Sequence, residues 1–162
     1  MMHTLLAHDH TRSIDSWPEH TTVSPTDVCV CGVSLLRLVD WCGTPCVHNA
    51  AAVIPGSDGE VSEDAMAAVV VATVVDVSVA ASGSVEVLID ADLDGCLPIL
   101  DECRMIGRTS TSARFEMQLT TGVGSALRYR ASRLPGDLCA GDLIAIPCAG
   151  VVVLHDVRLP RG

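Results

Sequence analysis

The 162 residues carry 20 acidic against 10 basic side chains, a formal charge of -10, and every one of the basic residues is arginine. The acidic excess disfavours nucleic-acid phosphates and anionic membranes as partners, and the missing lysine removes the ε-amine that Schiff-base chemistry requires. Hydrophobic residues reach 49% but aromatics only 2%, so the core has to be built from Val, Leu, Ile and Ala.

No apolar run is long enough to span a membrane. The N-terminus carries His and Asp where a signal peptide needs a basic start and an apolar core. A cytoplasmic location is therefore expected, with the eight cysteines as reduced thiols. The length fits one domain with an appended arm.

Residues 1–26 are polar, broken by proline and without periodicity, and read as a flexible arm. His8 and His10 would share a strand face, but no third fixed ligand accompanies them. Residues 27–52 read as a strand-helix-strand unit packed on the main domain. Val28, Val30 and Val33 form a short strand candidate. Ser34 is placed to cap a helix over Leu35 to Trp41, which Gly43 ends. Leu35, Leu38 and Val39 fall on one helical face. After Pro45 the chain returns to an extended form through Cys46 and His48.

Cys29, Cys31, Cys42, Cys46 and His48 invite a metal reading. Their CxC and CxxxCxH spacings are not strong zinc patterns, and buried thiols explain them more simply. No metal site is assigned.

Residues 53–64 hold Pro55-Gly56 and Asp58-Gly59 and read as a solvated connector. Residues 65–162 read as a β-barrel domain, small and closed or partly open. Ala68 to Val79 is a long β-branched stretch, expected as a strand with a bulge. Ala81 to Ser84 is a turn, and Val85, Val87 and Ile89 share one face of the returning strand. Arg114, Glu116 and Gln118 then alternate with Phe115, Met117 and Leu119. Pro135-Gly136-Asp137 and Gly141-Asp142 are turns. Leu143 to Ile146 and Val151 to Leu154 are apolar strands.

Two groups of these residues resemble one family. Asp27 to Leu36 with Gly43-Thr44-Pro45-Cys46-Val47 is similar to the opening of diaminopimelate and ornithine decarboxylase-type pyridoxal-phosphate enzymes. Thr73-Val74-Val75-Asp76, Val87 to Asp94, Leu134 to Leu138, Gly141 to Pro147 and Ala149-Gly150 resemble that family's C-terminal β-domain. The intervening TIM barrel, which carries the catalytic lysine and most phosphate contacts, has no counterpart. Gly124-Ser125-Ala126-Leu127-Arg128 stands where the family has its catalytic cysteine motif, and Val151-Val152 follows Ala149-Gly150 where it has a tyrosine. The resemblance implies a mainly β scaffold without pyridoxal-phosphate chemistry and without a cofactor.

A second likeness joins Leu100-Asp101-Glu102 and Met105 to Ser110 to small β-barrel cyclases of natural-product pathways. Such proteins work by confinement and a few oriented polar groups. On that reading the candidate catalytic residues are Tyr129, Arg128, Arg130, Arg114 and Glu116. Tyr129 would donate to a carbonyl, and the arginines would favour a carboxylate or enolate. Asp90, Asp92 and Asp94 share a strand parity and suit a solvated strand end or a cation.

The leading expectation is a cofactor-independent β-barrel that binds a small organic molecule bearing a carbonyl or carboxylate. As an enzyme it would be a cyclase or isomerase. The alternative is an inactive decarboxylase-like subunit that forms homodimers or binds a partner. An enclosed pocket lined by leucine and valine would favour the first. A filled barrel with an apolar exterior patch would favour the second.

Overall fold

The computed structural model describes residues 15–121 and 128–159. The His8 and His10 pair and the Gly124 to Leu127 segment lie outside these. The protein is mainly β, a curled half-barrel sheet with a short N-terminal strand-helix unit.

That unit begins with β1 (Thr21–Val23), β2 (Val28–Val30) and β3 (Val33–Ser34), joined as an antiparallel sheet. The single strand expected across Val28 to Val33 is two strands. Cys31 and Gly32 both take positive φ, 51° and 80°, and turn the chain between them. Helix α1 (Leu35–Cys42) follows, with the Ser34 side chain accepting from the Arg37 N–H at 3.2 Å and Gly43 closing the C-terminus on Val39 O. Asp27 reinforces the entry. Its Oδ1 accepts from Val28 N at 2.8 Å and Leu36 N at 3.2 Å, and its Oδ2 accepts from the Ser34 hydroxyl.

The main sheet is built around a 19-residue strand, β5 (Val61–Val79). β4 (Cys46–Val53) pairs with its first half, and β6 (Val85–Ile89) with its second. A register shift between Val74 and Asp76 supplies the bulge at the bend. The order runs β10 (Tyr129–Pro135), β9 (Arg114–Thr120), β6, β5, β11 (Leu143–Ala149), β7 (Leu97–Pro98), with β8 (Arg104–Ile106) also on β11. β6 and β9 are parallel and the other pairs are antiparallel. A 3-10 turn (Leu100–Glu102) precedes β8, and a short helix α2 (Leu154–Val157) ends the described chain.

Both faces of the middle of β5, Ala67 to Ala72, are covered, which explains the apolar run there. Ala68, Val70, Ala72 and Val74 face a core shared with Val87, Ile89, Met117, Leu119, Leu134, Ile144 and Ile146. Val69 and Val71 face the opposite way, against Trp17, Val28, Val30, Leu35, Cys46 and Ala145. Each buried valine contributes about 1.5–3 kcal/mol relative to exposure, so the N-terminal unit is a second packed layer.

Three expectations change. Trp17 is 2% exposed, and Asp15 accepts from Asp58 N and Gly59 N at 3.1 and 2.9 Å. Residues 15–26 thus belong to the folded unit, because one aromatic anchor and one strand override a polar composition. The connector shortens to the β4–β5 turn, since β5 already begins at Val61. Val151 to Val153 form no strand. Asn49 holds this segment instead, its Nδ2 donating to Val152 O and its Oδ1 accepting from Val152 N, both at 2.9 Å.

Candidate functional site

Curling brings β10 back toward β8 and the 3-10 turn. Among the described residues β8 pairs only with β11, and β10 only with β9, so an unpaired seam separates them. A cleft of about 170 Å³ opens here, lined by Arg104, Arg108, Arg114 and Arg133 together with Cys103, Met105, Thr109, Ser110, Pro25 and Pro135.

Each arginine arrives for a local reason. In β8, Met105 packs on the main core and Ile106 on the N-terminal layer, so strand alternation puts Arg104 on the Ile106 side. Gly107 turns the chain at φ 96°, with its N–H on Thr26 O at 2.7 Å. This presents Arg108 beyond the strand. Arg114 opens β9, opposite Pro135 of β10, and Met117 and Leu119 carry the buried parity of that strand. Arg133 lies in the register shift between Ala131 and Leu134. The bulge releases it from the pairing parity of β10.

The four guanidiniums are not equivalent. Arg108 is bound within the fold, its Nε on Asp142 Oδ1 at 2.8 Å and its Nη2 on Asp142 Oδ2 at 2.7 Å. Its Nη1 reaches Asp137 Oδ2 at 3.1 Å. Ser110 also donates to Asp137, at 2.7 Å. This latch fixes the loop that forms one wall.

Arg104, Arg114 and Arg133 form no ion pair among the described residues. Burial pushes the Arg104 pKa down and the Arg114 charge pushes it further, with Glu102 opposing both. Cys103, in the same wall, is kept a neutral thiol by burial, so it supplies no counter-charge. Positive charge in excess of its partners is therefore concentrated in one cleft of an acidic chain.

The expected site residues are distributed differently. Arg128, just before β10, pairs with the half-buried Glu86 at 3.1 Å, and Arg130 with Glu116 at 3.2 Å on exposed strand surface. The Tyr129 hydroxyl donates to Asp94, and burial followed by that bond holds its pKa well above the ordinary phenol value. Arg114 alone of the five reaches the cleft. The concave face is filled by the main core. Asp90 is structural: it accepts from Thr73 N at 2.8 Å and from the Thr44 hydroxyl at 2.6 Å. Among the described residues no group of three His, Cys, Asp or Glu side chains is placed to hold a metal, and no helix is long and apolar enough to cross a membrane.

Arg104, Arg108 and Arg133 escaped the sequence reading. One signal was present. From Glu102 to Glu116 the chain carries three arginines and no intervening acid, the reverse of its overall balance.

A second cavity, about 460 Å³ and mainly apolar, lies at the far end of β4 and β5. Trp17, Val53, Ile54, Pro55, Met66 and Ile99 line it. Ile54 and Met66 are 40% and 42% exposed at its rim. No protein-family model, curated protein or solved structure matches this chain.

Proposed function

We propose that this protein is a small-molecule-binding β-domain that takes an anionic ligand in the arginine-lined seam. The observation that carries this reading is the convergence on one cleft of Arg104, Arg114 and Arg133, none of which forms a salt bridge among the described residues. Guanidinium forks match oxyanions in geometry as well as charge. The cleft is smaller than the roughly 300–1,000 Å³ of drug-sized sites, which suits a compact anion or the anionic head of a larger molecule. Binding needs no cofactor. A cyclase would need a chamber to fold its substrate, and the packed concave face offers the weaker support for that activity.

Titrating sulfate into labelled protein and following amide NMR shifts tests this reading. Shifts should cluster on Cys103 to Ser110, Arg114 and Arg133. Scattered shifts, or none at concentrations that stabilise other arginine sites, would sink it.

The second reading is a partner-binding or dimerising subunit, in line with the decarboxylase-like resemblance. The apolar cavity and its exposed Ile54 and Met66 support it, as does the filled barrel. Sedimentation of the wild type and of Met66→Asp across a concentration series tests it. A monomer at every concentration removes the homodimer.

A further inference from the structure

Resting on the anion-site reading above, we infer that the seam selects a doubly charged tetrahedral oxyanion, specifically a small phosphate monoester, over singly charged anions. Three features carry the argument. First, the site presents several guanidiniums that form no salt bridge among the described residues, where one singly charged carboxylate would be satisfied by one fork. Second, these groups come from three separate strands. Arg104 stands on β8, Arg114 on β9 and Arg133 in the β10 bulge, so their donors approach the cleft from different directions. A tetrahedral group offers oxygens in several directions, whereas a planar carboxylate directs both into one plane. Third, Thr109 adds a hydroxyl-bearing side chain to the wall, while the Ser110 hydroxyl beside it is held by Asp137.

The charged groups around the site define what the ligand adds. Arg104 faces Arg114 as a like charge and Glu102 as an opposing acid. Arg108 is neutralised by Asp137 and Asp142. Cys103 is neutral. The open positive charge therefore sits on Arg104, Arg114 and Arg133. A dianion offsets the repulsion between the first two, and a monoanion offsets it less.

The cleft volume admits a phosphoryl group with only a few further atoms enclosed, so the remainder of the ester extends into solvent. The chain's charge of -10 opposes approach to an anionic bilayer, which points to a soluble ester over a lipid headgroup.

The test is calorimetry on the full chain at low ionic strength with methyl phosphate, dimethyl phosphate, sulfate and acetate. Methyl phosphate is expected to bind about tenfold or more tighter than dimethyl phosphate or acetate at about pH 7.5, because its second ionisation, near pH 6, is then largely complete. Its affinity should fall as pH drops from about 7.5 to about 5, while sulfate, a dianion throughout, stays level. Arg104→Gln and Arg114→Gln should each weaken methyl phosphate several-fold. Arg114 is exposed on its strand, so that variant serves if Arg104→Gln fails to fold.

Equal affinity for methyl phosphate, dimethyl phosphate and acetate overturns the dianion inference and leaves the anion site standing. No binding by any of the four anions overturns both. Binding unchanged in a folded Arg114→Gln and Arg104→Gln pair places the anion elsewhere and also overturns both. Co-sedimentation with phosphatidic-acid vesicles but no binding of methyl phosphate overturns the soluble-ester assignment.

Discussion

Arg108 and Asp142 form a two-pronged pair, Nε to Oδ1 at 2.8 Å and Nη2 to Oδ2 at 2.7 Å, that ties the loop after β8 to the turn before β11. The Arg108 hydrogen bonds hold the Asp142 carboxyl below its ordinary range. Asp137 is lowered first by its bond from Ser110 and then by Arg108. A carboxyl with a folded-state pKa below its unfolded value stabilises the fold above the unfolded value, and that contribution disappears as pH falls through the folded one. Wild-type Tm should therefore drop as pH falls below about 4. Arg108→Met should melt a few degrees lower at neutral pH and show a shallower acid drop. Parallel acid slopes in melting curves of the two proteins would contradict this linkage.

Trp17 seals the N-terminal layer at 2% exposure. Trp17→Ala should cost about 3–5 kcal/mol in urea unfolding. Deleting residues 1–24 should cost at least as much, because it removes Trp17 and β1 together. Deleting 1–52 strips β4 from β5 and uncovers Val69 and Val71, and the product should aggregate on size exclusion. A soluble fragment 53–162 of wild-type stability would refute the two-layer account.

The thiols divide by burial. Cys31, Cys42 and Cys139 are exposed, while Cys46, Cys96, Cys103 and Cys148 are buried. Burial pushes the Cys46 thiol up to about 11 and Cys148 up to about 12. Iodoacetamide under native conditions near pH 8 should modify Cys42 and Cys139 first, Cys31 more slowly because desolvation and the Glu19 carboxylate raise its pKa, and spare the buried four, because only the thiolate reacts. Mass spectrometry of the labelled peptides checks this. Early labelling of Cys103 or Cys148 would show that the core opens readily.

Gly136 lies under Phe115. A Cβ added there would meet Phe115 Cε1 at 2.7 Å and the Ala113 carbonyl oxygen at 3.3 Å. Gly136→Ala should destabilise by about 1–3 kcal/mol, through displacement of the ring and the neighbouring backbone. Pairing it with Phe115→Ala should recover part of that loss, since the ring is the closest obstacle. Additive losses in chemical denaturation would place the strain elsewhere.

With no lysine in the chain, pyridoxal phosphate followed by borohydride should leave no pyridoxyl label except on the N-terminal amine. Peptide mapping reads this directly. A label at an internal residue would reopen the chemistry that composition excludes.

Local chemistry determined the parts that few residues decide together. Ser34 and Gly43 bounded α1 because a cap acts within one turn of its helix. The period of Val85, Val87 and Ile89 marked a half-buried strand, and β-branching marked β5. The charge balance and the missing lysine bounded the chemistry before any fold was known. Tertiary structure alone decided what depended on distant pairing. The continuous apolar run of β5 is compatible with several buried elements, and only layers on both faces show why it has no polar side. Trp17 was an isolated aromatic in a polar segment until the N-terminal layer closed over it. Tyr129, Arg128 and Arg130 looked convergent because they are adjacent in sequence, yet each found its own carboxylate across the sheet. Arg104, Arg114 and Arg133 became one site because β8 docks on β11 while β10 docks on β9, and curling the sheet brings those separate edges together. Caps and periodicity act over a few residues, whereas a seam between non-sequential strands is set by the register and curvature of the whole sheet.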